Sequence, residues 1–390
     1  MRVGLVGNMN NILFSVTRHL RDQGVDAHLV VLGDDPAHFH PANDTFDLDY
    51  QTFTRTVPWG APERFATFTR KEIRERVSDF DVLIGCGSAP AYLKRAGRAL
   101  DILIPYGSDL IEYPFRPTRI NRHSLRSMVE FPIAQRRALL ETKHVVADLS
   151  ETVDPYLARL GYRGDRVFAS TPQVHTPTYS KARMAEYLGR SHWAHEVKKV
   201  REQADVLVML HARHSWTTRT AFNWTKGTDI LLKGLAEAKR RLAPKRIKLV
   251  TFEYGPDVLA SRALIEELGM TDDVLWLPLC PRKEIMVLLS MADFGCGEFV
   301  TSFFCFGALY EVLASGKPVL HHRDDRLYER EYPEQYPMCE VSRAEHVVEH
   351  LEGFLTSPSA YVAIGEGGRD WHERYGVQKP VRRLLELLGR

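Results

Sequence analysis

Glu311 stands in the segment Phe306 to Leu320, FGALYEVLASGKPVL, where a single carboxylate lies in an apolar helix pattern that ends at a glycine. Ala308, Leu309, Val312 and Leu313 recur at helical spacing and set Glu311 on roughly the opposite side of the helix. The first amides of such a helix, around Gly307 and Ala308, lack intrahelical partners and can hold a phosphate. One turn deeper, Glu311 can accept both hydroxyls of a ribose, or can simply be an acid favoured by the helix dipole. Upstream, Arg213 follows the apolar run VLVML, and Lys226 opens KGTD just before ILLKGLAEA. A cation at a strand end and another at a helix start suit a diphosphate, which needs positive charge together with free backbone donors. Arg219, in the polar and aromatic stretch between them, is a rival cation. Leu277 and Leu279, where VLWLPLC ends, can present backbone groups to a nucleobase edge.

The first half carries two further constellations. Gly7, Asn8 and Asn10 belong to a small, Asn-rich turn after the first strand, which can floor a substrate cleft or merely cap the next helix. The turn lacks the GxGxxG spacing, which disfavours a nicotinamide site. Tyr106, Gly107, Ser108 and Asp109 follow the strand ILIP and present hydroxyl and carboxylate groups to a polyhydroxylated ligand. Asp109 is the candidate general base should a reaction here invert configuration, with helix capping as its alternative role.

These residues must be positioned by strands and helices in alternation. Apolar runs at Val3 to Val6, Ala27 to Leu32, Asp81 to Ile84, Asp101 to Pro105 and His144 to Ala147 alternate with helical stretches. The pattern restarts at Val206 to Leu210 and continues through Ile247 to Phe252, Val274 to Leu277, Ala292 to Cys296 and Pro318 to Leu320. The expectation is an α/β chain of two parallel-sheet domains, with ligands beyond the carboxyl ends of the strands. The proline- and threonine-rich TPQVHTPTY, Thr171 to Tyr179, reads as the crossover. The expected domains are residues 1–175 and 176–365, with a helix in 366–390 returning toward the first.

Composition narrows the function class. With 44% hydrophobic and 26% charged residues and a net charge of +2 over 390 residues, the chain is an ordinary globular protein with no overall drive toward nucleic acid. The start, MRVGLVGNMNN, reads as a strand entering a turn rather than as a secretory leader. The five cysteines form no CxxC pair, so reduced buried thiols in the cytoplasm are expected. No His and carboxylate cluster has metal-ligand spacing, HFHP at His38 to Pro41 reading as a loop, and neither metal nor cofactor is expected. Tyr113 to His144 is locally basic, with seven Lys and Arg residues against Glu130 and Glu141. Such a segment can face anionic lipid, or can be a solvated helix, so a peripheral position at the inner face of the cell membrane is a further expectation.

In order along the chain, KGTDILLKGLAEA, FEYGPDV, VLWLPLCPRKEIMVLLSMADF and FGALYEVLASGKPVL resemble the donor-binding domain of GT-B glycosyltransferases, especially retaining family 4, also called glycosyl transferases group 1. YGSD and VVADLSETV resemble the family's first domain more loosely. The resemblance implies two Rossmann-like domains facing across a cleft, the first binding an acceptor and the second a nucleotide diphosphate sugar. It implies that Arg213 and Lys226 bind the diphosphate and Glu311 the ribose. It also implies a metal-independent hexosyl transfer with retention, in synthesis of a cell-surface polysaccharide, glycolipid or glycoconjugate, to a carbohydrate or lipid-linked acceptor. Where the family places the first glutamate of its E-x7-E pattern, which touches the donor sugar, this chain has Phe303. The alternatives are a nucleotide sugar epimerase of the same fold and a non-catalytic nucleotide or carbohydrate binder.

Overall fold

The computed structural model describes residues 1–115, 125–148, 150–218, 225–300, 306–329 and 332–390. Two compact units emerge: Met1–His175 with Tyr375–Arg390, and Thr176–Arg374. Helices that carry or support the predicted site residues include α1 (Ile12–Asp22), α2 (Leu125–Glu141), α3 (Thr228–Arg241), α4 (Arg282–Met291), α5 (Gly307–Ser315) and α6 (Lys379–Leu387).

The first unit is built on seven parallel strands, β1 (Arg2–Val6), β2 (Asp26–Leu32), β3 (Thr54–Val57), β4 (Val82–Gly85), β5 (Ile102–Leu103), β6 (His144–Ala147) and β7 (Asp165–Phe168), in the order β3-β2-β1-β4-β5-β6-β7. β1 is central, pairing Val3 with Ala27 on one side and with Val82 on the other. Its apolar run is buried on both faces because helices cover both sides of a parallel sheet. One layer packs Leu13, Phe14, Val16 and Leu20 of α1 with Leu5, Leu29 and Ile84 of the strands, and with Leu384 and Leu388 from the chain's end. The other layer gathers Trp59, Phe65, Tyr92, Phe131 and Leu139.

The second unit has six parallel strands, β8 (Val206–Leu210), β9 (Ile247–Phe252), β10 (Val274–Leu277), β11 (Phe294–Cys296), β12 (Val319–His321) and β13 (Cys339–Glu340), ordered β10-β9-β8-β11-β12-β13. Val206, Val208 and Leu210 pack with Leu231 and Leu235 of α3 and with Phe294 and Leu320. Sequence reading predicted an apolar arc on α5 with Glu311 behind it. The structure instead buries Leu309, Tyr310, Glu311, Val312, Leu313 and Ala314, so the helix is enclosed nearly all round and its carboxylate must find partners inside.

α2 behaves differently. Phe131, Gln135, Ala138 and Leu139 face the core, while Leu125, Val129, Ile133 and Leu140 remain between 41% and 64% exposed. At 100° per residue these four aliphatic side chains fall on one stripe, with the exposed Arg126, Arg136 and Arg137 on and beside it. Cys86, Cys280, Cys296 and Cys339 are free and buried. Among the described residues no helix is long and apolar enough to cross a membrane.

Candidate functional site

In the second sheet β8 and β11 are neighbours, and the strands that follow each lie on opposite sides of the pair. Their carboxyl ends therefore open a crevice at a topological switch point, where open α/β sheets place ligands. His211 and Arg213 leave β8 there, and Glu298 leaves β11. Lys226 lies 5.2 Å from the centroid of the Phe306 ring. Phe306 is the extended residue preceding α5, and among the described residues no side chain caps the first amides of that helix. The structure thus brings Lys226 to the start of α5.

The cations are held from behind. The Lys226 amide donates to the Ser215 carbonyl at 2.5 Å, and the Lys226 carbonyl accepts from Phe299 at 2.8 Å. Gly227 follows with φ +67°, and a Cβ there would lie 2.6 Å from Val300 Cγ2. The turn carrying Arg213 is fixed by His214, whose Nδ1 lies 2.9 Å from Ser261 Oγ and whose Nε2 lies 2.8 Å from Thr251 Oγ1. Burial holds this imidazole down to about 4, so it is neutral. Asp257 gathers the next three residues, accepting the Trp216, Thr217 and Thr218 amides at 2.5, 2.7 and 3.0 Å. Burial opposes its ionisation, but these bonds and those from the threonine hydroxyls hold the carboxyl far below the usual range. Arg219 lies outside the described residues.

Two buried carboxylates lie at this crevice, Glu298 beside Lys226 and Glu311 beside Arg282 and His211, and sequence reading missed both pairings. Glu298 is bonded to Lys226 through Oε1, and the positive charge of Arg213 also acts on it. Its Oε2 is buried and has no hydrogen-bond partner among the described residues. Burial raises this carboxyl, and Lys226 only partly offsets the shift. Glu311 receives Arg282 Nε at 2.6 Å on one oxygen and His211 Nε2 at 3.0 Å on the other. The His211 approach is a close charge contact rather than an aligned hydrogen bond, since neither ring nitrogen meets hydrogen-bond geometry. Burial opposes ionisation of Glu311, but Arg282 and His211 outweigh it and hold the carboxyl below the ordinary range. Glu311 is therefore not the open acceptor predicted from sequence; a ribose would share its oxygens with Arg282 and His211.

Other predicted positions need correction. Leu277 is core, and its carbonyl accepts the Glu253 amide at 2.8 Å, so it has no edge to present to a base. Leu279 is exposed. Gly307 and Ala308 stand at the helix start expected from sequence and are half-buried there, whereas Phe303 lies outside the described residues.

In the first unit the switch point lies between β1 and β4. Gly7 has φ +93° and sits so close to Cys86 that a Cβ would lie 2.9 Å from its Sγ. Asn8 is buried and inward-bonded: its Oδ1 accepts the Phe14 amide at 2.9 Å and its Nδ2 reaches the Asn11 side chain and the Phe39 carbonyl. Instead of flooring a cleft, Asn8 ties α1 to the loop containing His38. Asn10 is exposed with φ +46°, a conformation asparagine tolerates better than most residues. Asp109 is fully buried and accepts amides of Gly87 at 3.1 Å, Tyr106 at 3.2 Å, Gly107 at 3.0 Å and Leu110 at 3.0 Å. Burial raises the carboxyl to about 6 even so. With both oxygens committed to backbone, Asp109 organises the turn carrying the half-exposed Tyr106 and Ser108; it is not placed as a base for an acceptor. His19, Asp22 and His175 form a cluster with metal-ligand atom types within 4.8 Å, unseen in the sequence because His175 lies 153 positions from Asp22. His175 Nε2 lies 2.8 Å from Asp22 Oδ2, and His19 Nε2 lies 3.2 Å from the Val174 carbonyl, so hydrogen bonds account for the grouping.

No protein-family profile and no curated protein matches the sequence. Solved structures do match along the full chain. HepE of Anabaena in complex with UDP-glucose aligns with TM-score 0.60 and 12% identity, over 99% of each chain. Sucrose-phosphate synthase of Thermosynechococcus elongatus aligns with TM-score 0.56 and 13% identity over 100% of this chain and 98% of its own. UDP-GlcNAc 2-epimerase of Neisseria meningitidis, bound to UDP-GlcNAc, aligns at 0.51 and 14%, over 100% and 99%. The two parallel sheets and these full-length neighbours, glycosyltransferases among them, give this chain the GT-B fold.

Proposed function

We propose that the protein is a glycosyltransferase that moves a sugar from a nucleotide diphosphate sugar to a carbohydrate or lipid-linked acceptor. The observation carrying this reading is the gathering of Arg213, Lys226 and the uncapped start of α5 around the β8/β11 switch point. Positive charge and helix-end amides suit a leaving diphosphate without need of a metal or cofactor. Glu311 would meet the ribose beside Arg282 and His211, and Leu279 is the remaining candidate near the base. That HepE was solved with UDP-glucose favours a sugar nucleotide as the ligand class. Retention at the anomeric carbon fits a site whose cations and helix-end amides stabilise the leaving group.

The epimerase neighbours favour a second reading, sugar interconversion on the nucleotide with no acceptor. Product analysis separates the two. With a panel of nucleotide sugars and acceptors, release of nucleoside diphosphate in strict dependence on acceptor supports transfer. Conversion of the sugar with nucleotide sugar alone overturns it.

The acceptor would be presented at an anionic membrane surface, in polysaccharide, glycolipid or glycoconjugate synthesis on the cytoplasmic side. The exposed stripe Leu125, Val129, Ile133 and Leu140, with Arg136 and Arg137 free of ion pairs among the described residues, suits an interfacial helix. Flotation with phosphatidylglycerol vesicles should carry the parent upward. Val129→Asp with Ile133→Asp should leave it at the bottom. Equal flotation of both proteins, or concentration-dependent self-association through α2 without vesicle binding, overturns the membrane assignment.

A further inference from the structure

Glu298 puts a negative charge where the proposed donor would put its own. Its backbone is pinned at both ends, the amide donating to His321 Nδ1 at 3.1 Å and the carbonyl accepting from His322 at 2.8 Å. The residue is 1% exposed, so its carboxylate does not reach solvent as it stands. One oxygen holds Lys226; the other has no hydrogen-bond partner among the described residues. Among the described residues the charged and titratable groups facing it are few. Lys226 comes from the turn before α3, Arg213 from the end of β8, and His321 with His322 from the end of β12. His322 is itself engaged, its Nδ1 lying 2.6 Å from Glu340 Oε1. Across the crevice, Glu311 is already matched by Arg282 and His211.

We propose that Glu298 is the resident counter-anion of the diphosphate cradle and takes up a proton when a nucleoside diphosphate claims Lys226. This rests on the donor-site reading. A diphosphate arriving between Lys226 and Arg213 would leave a buried carboxylate beside further negative charge, and like charges in a desolvated site do not both stay ionised. Protonation forms one O–H bond on Glu298, with the proton drawn from solvent and returned when the nucleotide leaves. The neutral carboxyl then becomes a donor to a phosphate oxygen, so the group that blocks the empty cradle completes the occupied one. Affinity for nucleoside diphosphate consequently falls as pH rises between the carboxyl's values in the free and occupied protein. The slope approaches tenfold per pH unit where the uptake approaches one proton.

The test is calorimetric titration with UDP, ADP and GDP at pH 8, in two buffers of different ionisation enthalpy. A terminal phosphate titrates near ~6, so it is fully ionised in the free ligand at this pH. The expected result is an uptake for the parent that approaches one proton and is absent in Glu298→Gln, which should bind as tightly as the parent or more tightly. Equal proton counts in parent and variant overturn the inference. If Glu298→Gln does not fold, the parent decides alone: zero uptake from pH 6 to 8 overturns it. Binding that needs Arg213 but shows no Glu298-dependent proton leaves the donor site standing and removes only this inference. No binding by the parent removes both.

Discussion

Glu311 and Arg213 carry charge into the same crevice, yet burial gives them opposite sensitivities. Glu311 is enclosed with Arg282 and His211, so removing its carboxylate strands the buried Arg282 guanidinium that it now pairs. Glu311→Ala should therefore lose about 3–5 kcal/mol of stability in urea unfolding, before any effect on ligand can be measured. An unchanged midpoint would show that the triad contributes nothing to the fold. Arg213 is half-buried and has no ion-pair partner among the described residues. Arg213→Ala should leave the unfolding midpoint nearly unchanged while nucleoside diphosphate affinity drops by about 1.5–3 kcal/mol, the range for a lost charge-assisted bond. Binding that survives intact in this variant would move the diphosphate elsewhere. The two residues thus test different things, stability at one and recognition at the other, although the sequence pattern presents both simply as charged residues at element ends.

At the scale of elements, the α3 start depends on one backbone conformation. Gly227 has φ +67° and its missing Cβ leaves space taken by Val300 and Phe299, so any side chain meets both strain and a clash. Gly227→Ala should cost at least about 1–2 kcal/mol from the backbone alone and, by shifting Lys226, should also weaken nucleotide binding. A variant as stable as the parent would mean that the turn relaxes freely. This turn was legible in the sequence because a glycine beside a lysine at a strand-to-helix passage marks a tight bend that leaves a cation at the helix start. The central strands were legible for the same kind of reason, since strands buried on both faces must be continuously apolar. β3, β7 and β13 were not: all three lie toward or at sheet edges, where TRTV, DRVF and CE carry polar groups toward solvent and lose the pattern. The site divided likewise. Arg213 and Lys226 follow from element ends, but the Lys226–Glu298 and Arg282–Glu311 pairs join residues 72 and 29 positions apart, and only the sheet order brings them together. Asp109 misled because a carboxylate after a strand reads alike whether it faces a substrate or four amides.

For the molecule as a whole, the net charge is only +2, so self-repulsion near neutral pH is small and the pH dependence of stability should come from particular buried groups. His19 and His175 in the first unit and His214 in the second are 0–7% exposed. Burial lowers them to about 3, 4 and 4, and in the case of His19 the neighbouring His175 adds to the effect. In the unfolded chain each would titrate near its ordinary 6.5. The folded form therefore refuses protons that the unfolded form accepts, and the stabilisation is complete above 6.5 and lost as pH falls toward 4. Each histidine contributes a slope of about 1.4 kcal/mol per pH unit within that window. In the first unit Asp35 and Asp109, which burial raises to about 6, favour the folded form as they gain protons and so offset His19 and His175 below pH 6. His214 is therefore the sharper probe. Thermal unfolding followed from pH 7.5 to 4.5 should fall with pH in the parent, and substituting His214 by Gln should flatten that fall. A His214→Gln variant that loses stability with falling pH as steeply as the parent would show that this imidazole does not govern the acid limit of the second unit.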